Sequence, residues 1–142
     1  MKNVSIIFGS TTGNTEKVAN LIKDHMTDCN VTVSNVVDAK DAMIESADLV
    51  LFGSSTWGYG EFQDDFAPYY DNMSSDLLSG KNVAVFGCGD SVGFADVYCE
   101  AVNLIIEKAS DCGAKVIVEG LKVDGEVDDN LDKIEAFAKS LL

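Results

Sequence analysis

Short apolar runs rich in β-branched residues alternate along this chain with longer amphipathic stretches. The apolar runs predict five strands, at residues 4–8, 31–37, 49–52, 83–86 and 115–119. Apolar residues recur at the 3.6-residue period typical of helices in 15–26, 64–73, 96–112 and 130–142, and residues 39–46 predict a further short helix. Strands and helices therefore alternate along the whole chain.

The predicted strands are nearly continuous apolar runs, which indicates strands that are covered on both faces. With the alternation of strands and helices, this predicts an α/β fold. We expect a doubly wound, five-stranded parallel sheet in the order 2-1-3-4-5, forming one domain over residues 1–142. Open sheets of this kind bind ligands outside the carboxyl ends of their strands, where the strand order reverses. The loops after the first, third and fourth strands are therefore the predicted site.

The loop after the first predicted strand, residues 9–15, combines two glycines with four hydroxyl side chains. Hydroxyls and the backbone N–H groups of a helix N-terminus both attract anions, so this loop predicts a phosphate site. No lysine or arginine occurs between Asn3 and Glu16, which excludes a triphosphate loop of the G-x-x-x-x-G-K type and favours a single phosphate monoester. The alternative is a loop rich in capping residues that merely starts a helix.

Aromatic residues mark the loops after the third and fourth strands. Residues 53–62 hold the only tryptophan, Trp57, among glycines, which predicts an exposed stacking surface for a planar ring. Residues 87–96 hold further glycines and Phe94, and Tyr98 follows. Each loop taken alone is also consistent with a side chain folded back onto the core. A phosphate loop and two aromatic loops at one sheet edge together predict a ligand with a phosphate tail and a flat ring.

The composition narrows the possible partners. The chain has 142 residues, a net charge of −14 and ten basic residues that are all lysines, which excludes a general nucleic-acid binder and disfavours an anionic membrane surface. The apolar runs are too short to span a bilayer and the N-terminus lacks a signal-peptide pattern, so we expect a cytoplasmic protein. Four cysteines without a C-x-x-C pair and one histidine, His25, predict reduced thiols and no metal site.

Three motifs closely resemble those of the flavodoxin family. Residues 6–15 are similar to its phosphate loop, residues 55–58 to its tryptophan loop and residues 86–91 to its third, flavin-contacting loop. The motifs occur in the family's order and at suitable spacing, and the strand pattern extends the resemblance over nearly the whole chain. The fifth strand continues into residues 120–123 without a long insertion, which resembles the short-chain members.

This resemblance implies bound FMN that relays single electrons. It implies hydroxyl and amide groups around the phosphate, Trp57 against one flavin face, and backbone groups near Gly89 and Asp90 on the pyrimidine edge. The outer flavin face is assigned to Phe94 or Tyr98, with Phe94 favoured. No catalytic residue is predicted. The complete predicted FMN-binding set is Ser10, Thr11, Thr12, Gly13, Asn14, Thr15, Ser55, Thr56, Trp57, Gly58, Tyr59, Cys88, Gly89, Asp90, Phe94, Tyr98 and Cys99.

Acidic residues are concentrated in the part of the chain that holds the two ring-contacting loops. Residues 41–107 contain twelve acids and one lysine, Lys81. Negative charge near the ring disfavours an anionic hydroquinone, so we expect a low-potential carrier that shuttles between the semiquinone and hydroquinone states. We expect the Gly58 carbonyl to accept a hydrogen bond from the reduced ring, because a glycine lets that peptide turn. The acidic surface predicts docking to redox proteins with basic surfaces, and we expect a monomer.

Two alternative functions, a flavin-dependent enzyme and a signalling domain, need different reactive residues. A flavin-dependent NAD(P)H or quinone reductase on the same fold needs acid–base residues beside the ring; none accompanies the ring loops, and His25 is expected on the surface of the first helix. A phosphorylatable signalling domain needs acids at the ends of strands one and three, where this chain has Phe8-Gly9 and Phe52-Gly53. We therefore expect an electron carrier rather than an enzyme.

Overall fold

The computed structural model describes residues 2–9, 13–57, 61–62, 66–89, 100–124 and 126–141. Its strands are β1 (Asn3–Gly9), β2 (Asn30–Asn35), β3 (Leu49–Trp57), β4 (Glu61–Phe62), β5 (Asn82–Gly89), β6 (Lys115–Val116) and β7 (Leu121–Asp124). Its helices are α1 (Asn14–Asp24), α2 (Asp41–Glu45), α3 (Phe66–Asp71), α4 (Ser75–Leu78), α5 (Glu100–Asp111) and α6 (Leu131–Ser140), and a 3-10 turn at Val127–Asn130 precedes α6.

The strands form a parallel sheet in the order β2-β1-β3-β5-β6, with β7 also parallel to β5 and the short β4 antiparallel to β3. Because β6 and β7 share the fifth position, the predicted order 2-1-3-4-5 is confirmed. The direction of strand addition reverses between β1 and β3, which is where this fold is expected to bind ligands.

The fifth position differs from the prediction of one strand at 115–119. Val83 of β5 is paired with Val116 of β6, and Phe86 of β5 is paired with Leu121 of β7. The chain from β6 to β7 therefore contains two more residues than the matching part of β5. A Cβ on Gly120 would lie 2.5 Å from Val102 Cγ1, so the backbone passes too close to α5 for a side chain. The prediction of one strand there was therefore wrong, and the ladder is interrupted between β6 and β7.

The central strands send alternate side chains into two apolar layers. In β3, Leu49 and Leu51 enter the layer beneath α1 and α6, whereas Val50 and Phe52 enter the layer beneath α2–α5. The same alternation occurs in β1 and β5. Both faces of the sheet are therefore covered, which is why these strands have few polar positions in the sequence.

The helices lie where they were predicted but are shorter. The part of the third helix predicted at 64–65 and the part of the fourth at 96–99 fall outside the described residues. The four-residue α4 and the 3-10 turn were missed, because neither is long enough to show a helical period. His25 directly follows α1 and is half-buried rather than fully on the surface. None of the helices formed by the described residues is long and apolar enough to cross a membrane.

Candidate functional site

The ends of β1, β3 and β5 lie side by side. Gly9, the last residue of β1, is paired with Ser54, and Ser55 is paired with Cys88. The segments that follow β1, β3 and β5 therefore start at one edge of the sheet, although they are far apart in the sequence. This edge is the one that the strand order predicts for ligand binding.

Two close approaches fix β3 and β5 against each other near this edge. A Cβ on Gly53 would lie 2.3 Å from the ring of Phe86, its partner across the ladder. A Cβ on Gly87 would lie 2.5 Å from the Ser54 carbonyl oxygen and 2.6 Å from Val102 Cγ2. Neither glycine can be replaced without moving its neighbours, so the strand ends that carry the candidate site are tightly packed.

The start of α1 has the features of an anion site. Gly13 is the N-cap, with φ 93° and ψ −5°, in the left-handed region that favours glycine. Its carbonyl accepts a hydrogen bond from the Lys17 N–H at 2.9 Å. A glycine has no side-chain oxygen to accept from the first-turn N–H groups, so this helix start is suited to an external anion.

The two residues that follow Gly13 have opposite environments. Asn14 is exposed, whereas Thr15 is fully buried and its side chain is hydrogen-bonded to that of Cys88. Burial raises the pKa of Cys88 to about 11, and the hydrogen bond with Thr15 opposes this rise only in part. Cys88 is therefore a protonated thiol at neutral pH, held between β5 and α1.

The segment around Trp57 is a hairpin rather than an irregular loop. β3 continues past Phe52 to Trp57, and Trp57 is paired with Glu61 in an antiparallel ladder. Expecting the strand to end at residue 52 was wrong, because polar residues in β3 still pair with β1 and β5. A short glycine-containing link between two extended runs is typical of a hairpin, and that signal in residues 58–60 was missed.

The structure describes part of the predicted FMN-binding set. The described members are Gly13, Asn14, Thr15, Ser55, Thr56, Trp57, Cys88 and Gly89, with the backbone alone described for Ser55, Thr56 and Trp57. All of these lie at the start of α1 or at the ends of β3 and β5. The members outside the described residues are Ser10, Thr11, Thr12, Gly58, Tyr59, Asp90, Phe94, Tyr98 and Cys99.

Two lysines, Lys81 and Lys17, have polar partners in the structure. Lys81 immediately precedes β5, and its Nζ donates to the carbonyls of Glu45 at 2.9 Å and Ala47 at 3.2 Å. The length of β5 places this ammonium roughly 20 Å from the carboxyl edge. Lys17, in the first turns of α1, pairs with Asp128 at 2.7 Å. Lys17 therefore brings little unbalanced positive charge to the helix start.

Two cavities lie away from this edge. One of about 530 Å³ lies between α5 and α6, and one of about 230 Å³ lies beneath α2–α4. Tyr69 lines the smaller one, and burial together with the nearby Asp41 raises its pKa to about 12. Neither cavity is lined by a predicted FMN-binding residue. Within the described ranges, no group of three His, Cys, Asp or Glu residues could hold a metal ion.

Comparison with known proteins identifies relatives over nearly the full chain. The model of the family described as "Flavodoxin" matches residues 6–137. A flavodoxin of Maridesulfovibrio salexigens is 44% identical over 131 residues, covering 89% of this chain and 88% of that protein. A flavodoxin of Nitratidesulfovibrio vulgaris is 38% identical over 144 residues, covering 97% and 95%. The crystal structure of oxidised Flavodoxin 1 from Bacillus cereus aligns with a TM-score of 0.84 at 33% identity, covering 96% and 95%.

Proposed function

Because the chain belongs to the flavodoxin family, we propose that it carries FMN and works as a low-potential one-electron carrier between redox proteins. The observation that carries the proposal is the convergence of the Gly13-initiated helix with the ends of β3 and β5 at one sheet edge. When bound, FMN supplies the redox chemistry, since its ring accepts and releases electrons one at a time. The protein's part is to hold the phosphate, enclose the ring and set the charge around it.

The donors at the start of α1 fit a single phosphate. A phosphate monoester carries up to two negative charges, and it can accept from backbone N–H groups, from hydroxyls and from an amide. Lys17 is already paired with Asp128, so binding here relies on hydrogen bonds and the helix dipole rather than on a countercharge. We assign the phosphate to Ser10, Thr11, Thr12, Asn14 and Thr15.

The β3–β4 hairpin and the end of β5 are proposed to hold the ring. Antiparallel pairing with Glu61 fixes the backbone of Trp57, which we propose as a stacking residue. The ring contacts are assigned to Ser55, Thr56, Trp57, Gly58, Tyr59, Cys88, Gly89, Asp90 and Cys99, with Phe94 or Tyr98 on the outer face. Loss of FMN affinity in Phe94→Ala but not in Tyr98→Ala would assign the outer face to Phe94.

The distribution of charge supports a low potential. Residues 41–107 hold twelve acids and one lysine, and that lysine, Lys81, is bonded to carbonyls at the opposite edge of the sheet. Each electrostatic penalty of about 1.4 kcal/mol on the fully reduced ring lowers the second one-electron potential by about 60 mV. Each acid that lies near the ring therefore lowers this potential further.

The same charge is proposed to select the partners. We assign redox proteins with basic docking surfaces as donors and acceptors, with association that weakens as salt rises. Residues 1–142 then act as one FMN-binding domain, monomeric and cytoplasmic. Association rates that do not change with ionic strength would contradict electrostatic steering.

Steady-state kinetics separates this function from a flavin-dependent reductase. The FMN-loaded protein should show little turnover with NAD(P)H and a quinone alone, but should relay electrons once a flavoprotein reductase is added. Sustained turnover without a reductase would favour the enzyme. Free FMN at the same concentration is the control for non-protein electron transfer.

A further inference from the structure

The chain turns after β7 beside one end of the proposed flavin site. Asp124, the last residue of β7, is paired with Gly89, the last residue of β5. Gly89 and the Asp90 that follows it are assigned to the ring in the proposed function. A group that holds the chain after Asp124 therefore also acts on the position of the Gly89 backbone.

A buried side chain bonds across this turn. Asn130 is 7% exposed, and its Nδ2 donates to the carbonyls of Asp124 at 2.9 Å and of Glu126 at 2.8 Å. An amide nitrogen carries two N–H groups, so each carbonyl can receive its own donor. The Asn130 side chain thus ties the chain back onto the end of β7.

Asn130 makes these bonds instead of capping its own helix. It is the N-cap of α6, a position where an asparagine side chain ordinarily accepts from the first-turn N–H groups. Within the described residues 126–141, its side chain makes no such bond. The side chain therefore serves the turn that adjoins Gly89 rather than the start of α6.

The rest of the turn is anchored to α1. Val127 is buried in the layer beneath α1 and α6, and Asp128 pairs with Lys17 at 2.7 Å. Because this side of the turn is fixed, the two Asn130 bonds connect a fixed point to the end of β7. The ladder between Asp124 and Gly89 then carries that connection to the end of β5.

We propose that Asn130 is a positioning residue that holds the Gly89 end of β5 in place for the flavin ring. It acts through the carbonyl of Asp124 and the pairing of Asp124 with Gly89. The inference rests on the proposed function, because it takes the ring to lie beside Gly89. Asn130 lies outside the three loops that the sequence predicts for the site.

Affinities for FMN and for riboflavin, which lacks the phosphate, show which end of the ligand Asn130 serves. Quenching of flavin fluorescence on titration with apoprotein gives both values. Asn130→Ala should weaken binding of both flavins by the same factor, because the ring is common to them. We expect a loss of about threefold to tenfold, the value of one hydrogen bond. A loss confined to FMN would place the effect at the phosphate and overturn the proposal.

Asn130→Ser tests the donor itself. The serine hydroxyl has one proton to donate, so it can serve one of the two carbonyls. Asn130→Ser should therefore bind both flavins more tightly than Asn130→Ala and less tightly than the wild type. If Asn130→Ala does not fold, Asn130→Ser is compared with the wild type alone, and equal affinities would overturn the proposal.

Ser5 offers a matched control. It is buried, 6% exposed, and its Oγ donates to the Met43 carbonyl at 2.7 Å, four residues before the end of β1. Ser5→Ala therefore also removes a buried side-chain bond to a backbone carbonyl, but away from the carboxyl edge. It should lower the melting temperature and keep the wild-type affinity for both flavins.

The visible circular dichroism of bound FMN separates positioning from a general loss of stability. At saturating FMN this signal depends on the groups around the ring, so it should change in Asn130→Ala and stay as in the wild type in Ser5→Ala. An unchanged signal in Asn130→Ala, or wild-type affinities for both flavins, would overturn the inference alone. A wild-type protein that binds neither flavin would overturn the proposed function as well.

Discussion

The ring of Phe86 lies directly against Gly53, its partner across the β3–β5 ladder. A Cβ on Gly53 would lie 2.3 Å from two ring carbons of Phe86. Both residues are central to the sheet, and Phe86 is completely buried. The contact therefore fixes the relative position of β3 and β5, which both end at the proposed flavin site.

Replacing Gly53 with alanine should destabilise the protein by overpacking. We expect Gly53→Ala to lower the free energy of unfolding by about 1–3 kcal/mol, measured by urea denaturation. Adding Phe86→Leu should recover part of that loss, although Phe86→Leu alone is destabilising. Gly80→Ala is the control for backbone strain without a steric contact, because Gly80 has φ 78° and nothing within 4 Å of its Cβ position. A neutral Gly53→Ala would contradict the packing described.

A glycine should be favoured at position 13 because of its backbone conformation, not because a side chain there would clash with a neighbour. Its φ is 93° and a Cβ there would meet nothing within 4 Å, so Gly13→Ala should cost about 1–2 kcal/mol through backbone strain. Gly13→Asn should cost less, because asparagine tolerates the left-handed region. FMN affinity should fall in the same order, as measured by fluorescence quenching. Equal stability and affinity in the two variants would contradict the expectation.

Tyr69 should make stability depend on alkaline pH. Burial, and then the nearby Asp41, raise its pKa from 10.0 to about 12, and its ring packs against Phe52 and Phe66. Below pH 10 the phenol is protonated in both states, so its contribution to stability is complete. As pH rises from about 10 toward about 12 the unfolded phenol ionises first, and that stability is lost.

Tyr69→Phe should therefore flatten this part of the stability profile. Free energies of unfolding from urea titrations between about pH 8 and about pH 11 give the comparison. Cys88, whose pKa is also raised, contributes equally to the wild type and the variant, so its effect cancels. Parallel profiles for the two proteins would show that Tyr69 does not ionise differently on unfolding.

Removing a negative charge at the carboxyl edge should raise the second one-electron potential. Asp90 directly follows Gly89, the last residue of β5, whereas Asp111 is exposed at the end of α5, toward the opposite edge. Asp90→Asn should raise that potential by about 20–60 mV, and Asp111→Asn should change it much less. Potentiometric titration measures both. Equal shifts would indicate a general effect of net charge rather than a local one.

Local sequence patterns were sufficient for the strand order but not for contacts between distant segments. The alternation of apolar strands and amphipathic helices predicted the sheet, because both faces must be covered. The interruption before Leu121 could not be predicted, since it arises where Gly120 packs against Val102 on another element. The polar end of β3 was assigned to a loop because its pairing partners, not its side chains, make it a strand.

In the candidate site too, local motifs could be predicted from the sequence, whereas contacts between distant residues could not. The proposed phosphate loop and tryptophan segment were predicted from motifs that are continuous in the sequence. The contact between Thr15 and Cys88 was not found, because it joins residues brought together only by the packing of α1 on β5. Its only local signal was a cysteine among glycines at the end of an apolar run, which does not specify a partner.

Stepwise anaerobic reduction of the protein with equimolar FMN, followed by absorbance and potential, shows whether the protein binds FMN and transfers single electrons. We expect a bound-flavin spectrum and two separated one-electron steps. A transient long-wavelength band should appear between them, and the second step should fall below the potential of free FMN. Bleaching of bound flavin in a single two-electron step, or no binding of FMN, would contradict it.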